Sequence, residues 1–212
     1  MLGYTEHREA QIWLELSPDT RLLEVEYRPS SGPGTLQKIT KQITGSIYNI
    51  PVKVTFPLLE MNTTYTYEVI IDGKKQQFPF PTSFTTKKLW EHRTEPPDFT
   101  FLFGSCLYLN DSLYDRPGKP YGQSDEILAA MEKTPSDFIL WGGDNVYLRE
   151  ADYSSESGIR YRYSKNFSHP LLRGLRATRC NFAIWDDHDF GSNDSGKDFP
   201  LKDISLSVFR EY

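Results

Sequence analysis

The stretch "AIWDDHDFGSND", residues 183–194, sets Asp186, Asp187 and Asp189 around His188 directly behind an apolar run. Carboxylates this close repel one another, and burial would drive such acids to take up protons. Cations offer another resolution, because carboxylate and imidazole are metal ligands and a bound ion holds them together. A histidine among carboxylates is equally a general acid–base candidate. Two further clusters share this context: Cys106 follows "FLFGS", and Asp144 follows "FILWGG". Taken singly, each has a plainer reading. "GSC" is also a tight turn with a small apolar thiol. "GGDN" is built from residues that turns favour, and "DDHD" is also a solvated acidic turn.

The elements that must position these residues read as an α/β layer. "FTFLFGSC", "DFILWGGD" and "CNFAIWDD" are continuous apolar runs, the pattern of strands buried on both faces. Between them, "SDEILAAMEKT" has helical spacing, an acidic first turn and Ser124 as N-cap. Residues 157–176 have helix-like spacing broken by aromatics and Pro170, and "LKDISLSVFREY" reads as a further helix. Strand–helix–strand alternation argues a central sheet. Ligands of open α/β sheets bind beyond the carboxyl ends of the strands. Parallel neighbouring strands would therefore bring all three clusters to one edge.

The first 86 residues have a different texture. "AQIWLEL", "LLEVEYR", "IPVKVTF" and "TYTYEVII" alternate apolar and polar side chains, as half-buried strands do. Asp72-Gly73 supplies a hairpin turn, and the prolines of "FPFPTSFTT" favour an edge position. Together these predict a β-sandwich with no chemistry of its own. The charged segment 87–98, with Pro96-Pro97, reads as a boundary. This gives a β-sandwich domain over 1–90 and the start of an α/β domain over 91–212. His7, His92 and His169 read as solvated or structural residues.

Composition narrows the function. The chain has 212 residues, 38% of them hydrophobic, and a net charge of −5. No basic stripe marks a nucleic-acid partner, and no apolar run approaches the ~20 residues of a membrane span. The opening "MLGYTEHREA" lacks the pattern of a leader. Two cysteines, Cys106 and Cys180, do not make a disulfide framework.

"FLFGSC", "LWGGDNVY" and "IWDDHDFGSND", in that order, resemble the alkaline phosphatase D family of metallophosphatases. The β-rich half, with "TYTYEVIIDGK" and "SFTT", resembles that family's fibronectin III- or immunoglobulin-like N-terminal domain. The resemblance implies a β-sandwich followed by an incomplete calcineurin-like metallophosphatase domain that hydrolyses phosphate monoesters, diesters or both. It implies iron and calcium as cofactors, or another divalent metal, and a periplasmic or secreted location. By motif, Cys106, Asp144, Tyr147 and Asn193 correspond to metal-site residues. A further ligand falls at Asp186 or Asp187, left open because successive strand side chains point opposite ways. His188 corresponds to an acid catalyst or phosphate contact, with Asp189 assisting it. A thiolate and a phenolate suit higher-valent iron, while carboxylate and amide oxygens suit calcium. The family draws further histidine ligands from motifs downstream of "FREY". The resemblance therefore makes this chain the N-terminal portion of a longer enzyme, with a metal site short of ligands. The competing function is a noncatalytic module that binds carbohydrate or protein.

Overall fold

The computed structural model describes residues 1–32 and 34–212. The chain divides into two compact units, one comprising 1–99 with 176–180, the other 100–175 with 181–212.

The first unit is built from β1 (Leu2–Thr5), β2 (Ala10–Leu16), β3 (Leu22–Pro29), β4 (Gln37–Gln42), β5 (Ile50–Phe56), β6 (Thr64–Ile71), β7 (Lys74–Lys75) and β8 (Ser83–Thr85). β2 pairs antiparallel with β1 and β5. β3 lies antiparallel between β4 and β6, and β6 also pairs with β7 and β8. Period-two alternation sends Ile12, Leu16, Val54 and Phe56 from one set of strands, and Val25, Tyr27, Tyr65 and Val69 from the other, into one core. Asp72 and Gly73 both have positive φ, 47° and 75°, as the two-residue β6–β7 hairpin requires. Within "FPFPTSFTT" only Ser83–Thr85 is strand, because proline cannot donate to a ladder. Cys180 belongs to this unit, with Sγ 3.6 Å from Thr5 Oγ1.

The second unit carries β9 (Phe101–Gly104), α1 (Glu126–Lys133), β10 (Phe138–Gly142), α2 (Glu156–Phe167), α3 (Pro170–Ala177) up to Leu175, β11 (Cys180–Ile184) from Asn181 on, α4 (Asp187–Phe190) and α5 (Lys202–Glu211). β10 pairs with β9 in parallel register and neighbours β11. α1 starts at Glu126, whose N–H donates to Ser124 Oγ at 3.2 Å, while Asp125 occupies the N-cap position. Ser155 caps α2 by accepting from Gly158 N. On one sheet face, Leu102, Ile139 and Trp141 pack with Leu128 of α1 and Leu172 and Leu175 of α3. The expectation of strands buried on both faces is corrected on the other side. There Phe101, Phe103, Phe182 and Ile184 are 49%, 63%, 46% and 60% exposed. The helices cover a single face, so the alternate residues of each apolar run meet solvent.

Candidate metal centre

Cys106, Asp144 and Asp186 each sit just past the end of a strand, β9, β10 and β11 respectively. Cys106 and Asp144 hold φ of 56° and 52°, left-handed values uncommon outside glycine. Gly143 has φ 100°, and a Cβ there would come 3.0 Å from Asp186 Cβ. A glycine is thus needed both for the turn and for the approach of the two acidic loops. Backbone hydrogen bonds join the loops. Cys106 N donates to Gly143 O at 3.2 Å and Leu107 N to Asp144 O at 2.9 Å. Leu148 N donates to His188 O at 3.3 Å. Asn145 Nδ2 donates to Ile184 O at 2.7 Å.

Asp144 is the focus. Its Oδ2 accepts from Tyr147 Oη at 2.8 Å, and Cys106 Sγ lies 3.6 Å from the same oxygen. Its Oδ1 is buried with no hydrogen-bond partner, as is His188 Nδ1. Among the described residues, Asp144, Asp187 and His188 have ligand atoms that all lie within 4.8 Å of one another. The Tyr147 and His188 rings pack at 4.3 Å. Burial, then hydrogen bonds to Cys106 and Asp144, push the Tyr147 phenol well above its ordinary value.

The neighbouring acids behave differently. Asp186 caps α4, its carboxylate accepting from Asp187 N at 2.9 Å. Asp187 accepts from His188 N at 3.0 Å and from the Asp194 backbone N–H. Asp189 is fully buried. It accepts from Val146 N at 3.0 Å, Asn145 Nδ2 at 3.0 Å and Asp186 N at 2.9 Å. Burial pushes its pKa up to about 6 against the pull of those donors. Its carboxylate ties the "GGDN" turn to the "DDHD" turn. Asn193 Nδ2 donates to Asp194 Oδ2 at 2.5 Å. The loops therefore gather Cys106, Asp144, Tyr147, Asp187 and His188, and turn Asp186, Asp189 and Asn193 to other partners.

This donor set fits a cation. An unpartnered buried carboxylate oxygen is costly unless something positive meets it, and carboxylate, imidazole, thiolate and phenolate are all metal ligands.

A cleft of 580 Å³ adjoins the cluster, lined by His188, Tyr147 and Asn193 together with Tyr108, Tyr114 and Tyr121. The tyrosine-rich loop of this wall was not singled out in the sequence. The signal was present: "CLYLNDSLYDRPGKPYG" packs tyrosines into a proline- and glycine-bearing loop directly after a candidate ligand, and such loops carry function. Arg149 holds the loop in place. It donates to Asp115 Oδ1 at 2.8 Å and Leu109 O at 2.8 Å, and lies 4.1 Å over the Tyr108 ring.

No family model and no curated protein matches the chain. Among solved structures, PhoD aligns over 100% of this chain with a TM-score of 0.69 at 17% identity. The chain has a PhoD-like fold, with mixed α/β content, and spans 44% of the PhoD chain. The fn3 domain of human collagen alpha-1(XX) chain aligns at a TM-score of 0.33 and 22% identity, over 46% of this chain and 86% of its own. That score carries no weight for the β-rich unit. No helix among the described residues is long and apolar enough to cross a membrane.

Proposed function

We propose that the chain supplies part of a metal-dependent hydrolase of phosphate esters, mono- or diesters. The observation that carries this reading is the buried, unpartnered Asp144 Oδ1 beside Asp187 and His188. It joins the resemblance of the three motifs to the alkaline phosphatase D family and the PhoD-like fold. Asp144 and Asp187 would hold the metal, with Cys106 and Tyr147 flanking Asp144. Iron would suit the thiolate and phenolate, calcium the carboxylates. When bound, a cation there neutralises the charge that develops on a phosphoryl group.

The chain's own residues do the rest. His188 gives a proton to the leaving oxygen, a role for which imidazole is suited near neutral pH. Asp189 keeps the two acidic turns in register, and Asn193 lines the substrate cleft.

The test is equilibrium dialysis of Fe³⁺, Mn²⁺ and Ca²⁺ against this chain and Asp144→Ala, with hydrolysis of p-nitrophenyl phosphate and its bis ester measured alongside. The expected result is metal uptake and metal-dependent hydrolysis, both lost in the variant. Equal metal binding by the two proteins removes Asp144 from the centre. Metal binding without turnover of either ester leaves a metal site and overturns the hydrolase reading for this chain.

A further inference from the structure

We infer that the tyrosine-lined cleft beside the cluster selects phosphate esters whose organic group carries a flat aromatic ring. This deepens the phosphate-ester reading above and rests on it for the position of the phosphate.

The cleft has the volume of a small-molecule site, and its wall is aromatic. Tyr121 is 75% exposed. Its ring meets the Tyr108 ring edge-on, with centroids 4.9 Å apart, which leaves a face of Tyr121 open. Tyr108 meets Tyr147 in the same tilted way at 4.9 Å. The aromatic surface is thus continuous from Tyr121 to Tyr147, which donates to Asp144. A ligand whose phosphate lies at the cluster has this surface beside it. An exposed tyrosine face in a concave wall gains by stacking on a planar π system.

The polar groups of the cleft favour an aromatic ring over a sugar. Sugar hydroxyls are held by several polar partners at once, among them acceptors with free lone pairs. Of the two carboxylates here, Asp115 is fully engaged, its Oδ1 accepting from Arg149 and from Tyr108 Oη at 2.8 Å each and its Oδ2 from Asp111 N at 2.6 Å, while Glu150 accepts from Arg116 through Oε1 at 2.6 Å. The wall offers the organic group a large share of tyrosine ring face, with Ser192 and Asn193 in the lining and the Lys119 ammonium as an added attraction for an anionic ligand.

Adenosine 5′-monophosphate and ribose 5-phosphate separate the effect cleanly. They share the same phosphate on the same primary carbon of a ribose, and differ at C1, where the base of the nucleotide replaces a hydroxyl. Binding of each to this chain is measured by calorimetry, with the Tyr121 ring followed by NMR. The nucleotide is expected to bind about tenfold tighter, within the range of a base–aromatic stack. Tyr121→Ala is expected to remove most of that preference and leave ribose 5-phosphate unaffected. Tyr121→Phe is expected to keep it. Because Tyr121 is exposed, these substitutions leave the fold intact. Equal affinities, binding of neither ester, or an unchanged preference in Tyr121→Ala would overturn the inference. A preference without hydrolysis leaves the inference standing and defeats the catalytic reading. Hydrolysis of both esters at equal rate and affinity does the reverse.

Discussion

Asp189 shows how a fully buried acid serves a site without facing it. Both of its oxygens are filled by donors from Val146, Asn145 and Asp186, so it ties the two acidic loops together from behind. Asp189→Asn places an amide NH₂ against N–H donors that want an acceptor, and the two turns lose their common anchor. The expected cost is about 10–100-fold in metal affinity, the usual effect of disturbing a supporting partner. Equilibrium dialysis with Mn²⁺ on the variant, with circular dichroism as the check on folding, measures it. A retained affinity would mean that Asp144 and Asp187 hold their places without this tie.

At the scale of elements, β9, β10 and β11 have two unequal faces. Ile139 is fully buried against α1 and α3, while Phe103, across the ladder on the alternate face, is 63% exposed. Ile139→Ala removes buried methyl groups and leaves a cavity, for an expected loss of about 2–5 kcal/mol. Phe103→Ser removes a ring that water already reaches, and should stay within about 0.5 kcal/mol. Urea denaturation of both variants gives the comparison. Equal costs would show that the bare face is covered in solution. The apolar runs of these strands made both faces read as buried. Composition reports how apolar a strand is, and burial depends on what lies across from it.

At the scale of the whole molecule, stability against acid rests on ion pairs that span the sequence. Arg162 is buried and donates to Asp152 at 2.7 Å and to Asp111 at 3.1 Å. Burial alone would raise the Asp111 carboxyl, but Lys165 and then Arg162 outweigh it and hold it below its ordinary 3.8. A depressed carboxyl stabilises the fold above its unfolded pKa, and that contribution is lost as pH falls through the folded value. Arg162→Met leaves Asp111 and Asp152 without their buried cation, for an expected loss of about 3–5 kcal/mol at neutral pH. The gap from wild type should narrow below pH 3.8 as Asp111 takes up its proton. Thermal melts of both proteins across pH 3–7 test this, and a constant gap would show that Asp111 takes no part. Taking the difference cancels Asp189, whose raised pKa acts in the opposite sense in both proteins.

The sequence by itself determined what depends on neighbours along the chain. It marked the alternating strands of the first unit, the Asp72-Gly73 hairpin, the helices around α1 and α5, and three polar clusters each set behind an apolar run. Those features follow from side-chain period and turn chemistry, which are local. Only the tertiary structure decided that Asp187 joins Asp144 and His188 while Asp186 caps α4. A turn at that point aims adjacent carboxylates apart, and its geometry depends on Asp189 and Gly143. The Arg162–Asp111 pair, separated by 51 residues, and the tyrosine wall beside His188 were likewise set by packing. Their partners are distant in the chain, and no period or spacing records the distance between them in space.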